Sequence, residues 1–186
     1  ASHTIKLGND DVENVIINKN LTVGTVNDLV VSRGNNNIFS NTAIGFEALL
    51  NNNVDKEGNT AIGYQALNKN TSGDKNTASG FKALNTNNTG YYNTASGYSA
   101  LLSNTTGNYN TASGYHALQN NTIGDENTAS GHEALYYNTT GNYNTASGNK
   151  ALKNNKTGTN NTAIGFEAGP ATGNTSLENT TAIGHG

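Results

Sequence analysis

The chain has 186 residues, enough for one ordinary domain, and a net charge of −3 from 10 basic and 13 acidic residues; so weak a bias names neither a nucleic acid nor a lipid surface as partner. Asn fills 36 positions and Gly 22, against one Pro and no Cys, Met or Trp, which excludes disulfides, thiolate metal sites and a thick apolar core. Leu, Ile, Val and Phe make 33 of the 186 residues, a level typical of disordered chains, but the small net charge removes the repulsion that holds such chains open.

The start, Ala1-Ser2-His3, carries neither an initiator Met nor a signal-peptide pattern and reads as the beginning of a fragment or a processed product. Residues 1–40 carry the alternating runs Thr4-Ile5-Lys6-Leu7, Val12 to Ile17, Leu21 to Val26 and Leu29-Val30-Val31-Ser32. Separated by Asn, Asp and Gly, they predict short strands joined by turns. About forty residues fold poorly alone, so this segment is expected to be a β lead-in that pairs with partner chains or continues a fibre. No apolar run anywhere reaches the ~18 residues of a membrane span, and no membrane insertion is expected.

From residue 41 to 186 the chain repeats itself. The Asn of Asn-Thr-Ala recurs at Asn41, Asn59, Asn76, Asn93, Asn110, Asn127, Asn144 and Asn161, with a degenerate start at Thr180. The steps are 18, then 17 six times, then 19, so this is a repeat architecture. The consensus is N-T-A-(S/I)-G-(aromatic)-x-A-L-x-x-N-(T)-(T)-G-x-x. Seventeen residues are too few for a helix pair, and the apolar positions have no 3.6-residue period. Two fixed glycines mark corners between stretches of strand length, which predicts an all-β parallel β-solenoid, or β-roll, of about eight coils with two short strands per coil. At about 4.8 Å per coil the rod is on the order of 40 Å tall.

Stacking places identical residues above one another, and the column Asn70, Asn87, Asn104, Asn121, Asn138, Asn155 is expected to form an amide ladder. One Leu, two Ala and an aromatic per coil are a thin apolar return for ordering 17 residues, so several copies side by side, burying a second face, are expected. The position after Ala is Ile at the outer units (Ile44, Ile62, Ile164, Ile183) and Ser in the middle ones (Ser79, Ser96, Ser113, Ser130, Ser147), a pattern expected of tapering and capping.

The lead-in NLTVGTVNDLVVSRGNNNIFSNTAIGFEAL, followed by repeated NTASGYxAL and NTTGNYNTA, resembles the repeat arrays of bacteriophage and large-virus tail fibre proteins. Many of those end in a self-cleaving intramolecular chaperone, which does not follow Gly186 and which the resemblance implies was cleaved off or omitted. NTAIG is also similar to the NSVAIG phrase of trimeric autotransporter adhesin heads, which are left-handed parallel β-rolls. The resemblance implies a homotrimer located in a virion tail fibre or at a cell surface, with a host-surface receptor and other fibre or virion proteins as partners. Two departures stand out: the 17-residue unit is longer than the adhesin coil, and Ser replaces Ile in the middle units.

Catalysis needs unlike groups converging at one place, whereas here like groups are spread along a rod. No catalytic, cofactor-binding or metal residue is assigned, and no enzyme activity or cofactor is expected. The column Glu47, Gln65, Lys82, Ser99, His116, Glu133, Lys150, Glu167 varies freely, as a solvated face does. Asp125-Glu126 and Asn9-Asp10-Asp11 lack a full Ca²⁺-loop signature and read as turn residues. His116 and His132 are near enough in register to approach each other, without an evident third ligand. The aromatic column Phe46, Tyr64, Phe81, Tyr98, Tyr115 and Phe166, interrupted by His132 and Asn149, is expected to pack between coils or chains. Tyr92, Tyr109 and Tyr143 precede the repeat Asn at a corner and are the candidate receptor contacts, stacking on sugar faces of a glycan. Sequons such as Asn104-Thr105-Thr106 and Asn138-Thr139-Thr140 recur because the repeat contains N-T-T.

These features predict a non-enzymatic attachment spacer that gains length by adding coils. Two rivals come from other classes. An ice-binding solenoid would use the column Thr42, Thr60, Thr77, Thr94, Thr111, Thr128, Thr145, Thr162, although the paired Thr-x-Thr rows of such a face are not evident. A polysaccharide-degrading tailspike would need a carboxylate pair about 5 to 9.5 Å apart.

Overall fold

A computed structural model describes residues 31–32, 40–52, 56–169 and 176–185. Within them the chain is all-β. Its strands are β1 (Val31–Ser32), β2 (Thr42–Ile44), β3 (Thr60–Ile62), β4 (Thr77–Ser79), β5 (Thr94–Ser96), β6 (Thr111–Ser113), β7 (Thr128–Ser130), β8 (Thr145–Ser147), β9 (Thr162–Ile164) and β10 (Thr181–Ile183). All lie in one sheet in sequence order. From β2 to β10 each strand pairs parallel with the next, Thr on Thr and Ala on Ala. Nine such strands close eight turns of a parallel β-solenoid.

In each strand the side chains alternate, so Ala points inward while Thr and the Ser or Ile point out. A strand of three residues buries only its middle one, and Ala is what a narrow interior admits there.

Each turn has one strand, not the two expected from its two glycine corners. The Ala-Leu stretch is the reason. Ala66 and Leu67, like every such pair through Ala151 and Leu152, are both buried, whereas adjacent residues of a strand face opposite ways. Both point inward because the backbone turns left-handed at Leu, with φ between 49° and 52° from Leu49 to Leu152. The residue before Ala, such as Gln65 at φ 54°, does the same. A left-handed L-residue costs roughly 1–2 kcal/mol, and here coil-to-coil bonding offsets it: Leu67 N–H donates to Ala83 O at 3.0 Å and Leu84 N–H to Ala100 O at 3.0 Å.

The Leu and Ala side chains fill part of the interior. Amides fill the rest. The expected ladder is present: Asn87 Nδ2 donates to Asn70 Oδ1 at 2.8 Å, Asn104 to Asn87 at 2.8 Å, Asn121 to Asn104 at 2.9 Å and Asn138 to Asn121 at 2.9 Å. A second buried column, the first Asn of every repeat, bonds the coils differently. Its side-chain oxygen accepts the backbone N–H of the equivalent residue one coil on, as Asn93 Oδ1 does from Asn110 N at 2.9 Å. Its amide nitrogen donates across its own coil, from Asn93 to Gly107 O at 2.8 Å. The same Gly107 carbonyl takes a bond from Asn104 Nδ2 at 2.9 Å, so one glycine carbonyl per coil ties both columns together.

The two glycine columns have different causes. At Gly114 the backbone is at φ 138° and a Cβ would lie 2.5 Å from Gly131 O in the next coil. Gly107 has no such φ, but its Cβ would sit 2.4 Å from Gly124 O and 2.5 Å from Asn104 Oδ1. It is glycine because the ladder occupies the space.

The Ile residues at the position after Ala do not taper the interior: Ile62, Ile164 and Ile183 are exposed on the outside, because only the middle residue of each strand points in. At the N-terminal end the sheet is instead covered by β1, which pairs antiparallel with β2, Val31 opposite Ile44. Of the strands expected in residues 1–40, only this one falls among the described residues, and it pairs with its own chain. The interior is also closed within one chain, with Leu and both Asn columns almost wholly buried, so the thin apolar content does not by itself require a second copy.

Candidate functional site

With the interior fixed, function has only the outer columns to use. The longest is aromatic. Phe46, Tyr64, Phe81, Tyr98, Tyr115 and His132 form one continuous stack, with successive ring centroids 4.8 to 5.5 Å apart and planes within 16° of parallel. The stack breaks at Asn149 and resumes with Phe166, tilted on His185 at 5.2 Å. The rings pack between coils, as expected. Because each inner ring spends both faces on its neighbours, the column presents edges and hydroxyls outward between its two ends while remaining exposed.

The corner tyrosines do not form one site. Tyr92 and Tyr109 stack on each other at 5.2 Å and 5°, and Tyr91 packs edge-on against both. Lys75 Nζ donates to the Tyr92 hydroxyl at 2.7 Å. Tyr143 stands two coils beyond Tyr109 in the same column, with Glu126 between them. All three are exposed, but a sugar face is available only on the far side of Tyr109 and at Tyr143.

The column headed by Glu47 is partly paired along the rod rather than fully solvated. Gln65 Nε2 donates to Glu47 Oε2 at 2.6 Å, and Lys150 pairs with Glu167 at 3.2 Å. Lys153 reaches Glu133 at 2.7 Å. Its hydrogen bond is the main reason that the Glu133 carboxyl lies below the ordinary range.

His116 and His132 share Tyr115: its ring stacks on His116 at 3.9 Å and on His132 at 5.2 Å. Desolvation holds His116 below the ordinary imidazole range. Among the described residues no three His, Cys, Asp or Glu side chains are grouped to hold a metal ion. Asp125 acts as a turn residue, its Oδ1 accepting Asn108 N–H at 2.7 Å; Asn9-Asp10-Asp11 lies outside the described residues. The sequon residues Asn104 and Asn138 are wholly buried ladder members, so folding hides them from a glycosylating enzyme.

The outward residues of the strands were only half legible. Thr was visible as a column, but Ser79, Ser96, Ser113, Ser130 and Ser147 also face out. They complete paired Thr-x-Ser rows, not evident in the sequence until the one-strand turn fixed which residues alternate.

The chain matches no family model, and no curated protein or solved structure is significantly similar to it. Function rests on the geometry.

Proposed function

We propose that the chain is a non-enzymatic, structural and receptor-displaying segment of a homotrimeric viral or phage tail fibre, or of a surface adhesin. One observation carries this reading: inward positions are almost invariant from coil to coil, while among the outward columns the one at Glu47 changes freely. Ala, Leu, Asn and Gly repeat at fixed places, and the column at Glu47 runs through Gln, Lys, Ser, His and Glu. That division supports a rod lengthened by copying coils, whose surface is free to diversify toward partners. The resemblance of NTAIG and NTASGYxAL to fibre and adhesin repeats supports the same reading and supplies the trimer. Sedimentation equilibrium in the micromolar range tests it: three times the 19.4 kDa chain mass is expected, and a monomer throughout overturns the trimer.

Paired rows of outward Thr and Ser favour one second reading, an ice-binding face. The hydroxyl rows lie about 6.6 Å apart across the sheet and repeat about every 4.8 Å along the rod. Thermal hysteresis at micromolar protein, abolished by Thr111→Val with Thr128→Val, is the result this reading requires. Its absence leaves the fibre reading alone.

A further inference from the structure

Stacked columns gain a particular shape where one ring is missing. In the corner column Tyr92, Tyr109, Glu126 and Tyr143 share one backbone conformation, φ 55° to 57°. The near face of Tyr109 is covered by Tyr92. At the next level stands the flexible chain of Glu126, and at the one after it Tyr143. With coils about 4.8 Å apart, Tyr109 and Tyr143 are separated by two levels, about 9.6 Å. A group seated midway lies about 4.8 Å from each level, within the 4.5–7 Å of ring contact.

Two charges act on Tyr109: the Lys75 ammonium, bonded to the Tyr92 hydroxyl on the covered side of the ring, and Glu126, one level on from its open face. Aromatic faces carry the negative part of the ring quadrupole, and Glu126 occupies the column level between Tyr109 and Tyr143. Among the described residues Glu126 makes no ion pair. Desolvation, Tyr91 and Tyr92 lift the Tyr109 hydroxyl above the ordinary phenol range, and the Glu126 charge adds to them. A neutral guest would strip water from the carboxylate without replacing its charge; a soft cation compensates it and meets the ring faces too. The rod contains its own contrast: the other column is interrupted at Asn149, between His132 and Phe166, where the residue at the gap is uncharged.

We propose that the slot formed by Tyr109, Glu126 and Tyr143 binds an alkylated ammonium group. The proposal uses only the solenoid and its columns, and stands or falls independently of the fibre reading.

The test is a titration of the full chain, followed by the ring resonances of its tyrosines, with choline and with its uncharged carbon isostere 3,3-dimethyl-1-butanol at fixed ionic strength. Choline is expected to shift Tyr109 and Tyr143 together with one millimolar midpoint, and the isostere to leave them in place. Glu126→Gln is expected to weaken choline binding about fivefold, the order of one exposed cation contact. Glu126→Tyr fills the slot with a third ring and is expected to abolish it. Tyr143→Asn installs the residue found next in the column at Asn160 and is expected to abolish the coupled shift, which decides the matter if the ring-filled variant does not fold. Equal shifts from both probes, or choline binding unchanged in Glu126→Tyr or Tyr143→Asn, overturns the site.

Discussion

Asn104 shows what a single residue does in this interior. It donates to Asn87 Oδ1 and to Gly107 O, and accepts from Asn121 Nδ2, so its loss breaks three buried hydrogen bonds at once, although Gly107 O keeps its bond from Asn93 Nδ2. At about 1 kcal/mol or more for each, Asn104→Ala is expected to cost about 3 kcal/mol in urea unfolding. Asn104→Asp keeps the shape, removes the donors and is expected to cost at least as much, which separates hydrogen bonding from volume. Asn149→Ala, on the exposed surface, is expected to stay within about 0.5 kcal/mol. Similar losses at Asn104 and Asn149 would mean that the ladder is not what holds the coils. His116 gives a residue-scale prediction of a different kind. Its pKa is lowered by burial in the fold, so folding favours the neutral ring. The stability this contributes is present above the unfolded value of about 6.5 and is lost as pH falls through the lower folded value. Between pH 7 and 5 the melting temperature is expected to fall more for the native protein than for His116→Gln, which installs the residue that Gln65 places in the same column. An equal fall in both would remove His116 from the pH dependence.

At the level of the single coil, the glycine columns separate two causes that a sequence cannot. Gly114 and Gly184 both have positive φ, 138° and 112°, but a Cβ at Gly184 meets nothing within 4 Å whereas one at Gly114 meets Gly131 O at 2.5 Å. Gly184→Ala therefore carries only the backbone cost, about 1 kcal/mol, and Gly114→Ala is expected to cost at least about 3 kcal/mol because the coil above must move. Thermal unfolding of the two variants checks the difference, and equal losses would contradict coil-to-coil contact at this corner. The solenoid and the ladder through Asn104 were legible because six identical steps fix which residues stack. The second ladder, through Asn110, was hidden although its Asn opens every repeat, because nothing in the sequence tells an amide that bonds its own kind from one that caps the backbone of the next coil. The number of strands was misjudged because two adjacent buried residues, Ala and Leu, require left-handed backbone that these residue types do not advertise. At the candidate receptor contacts, position and exposure were legible; which tyrosine faces are already spent on Tyr91 and Tyr92 depended on side-chain packing.

Across the described coils, the stacking residues lie inside and the exposed columns outside one rod. Each coil presents the next with the same row of Thr, Ala, Leu, Asn and Gly, so length grows without new folding information, and the cost of each left-handed residue is offset by the bonds its neighbours above and below provide. Such a stack is indifferent to the number of units but not to their phase, since a shift out of register sets Leu against Asn and breaks both ladders together. Deleting Asn93 to Tyr109 removes one 17-residue unit and joins Tyr92 to Asn110 with every column aligned. Deleting Asn93 to Ala100 removes eight residues from the same place and joins Tyr92 to Leu101 out of phase. Amide hydrogen exchange across the coils on both sides of the junction is the direct measurement: protection is expected to persist in the whole-unit deletion and to be lost around the junction in the eight-residue one. Equal protection in the two deletions would contradict the register-locked stack.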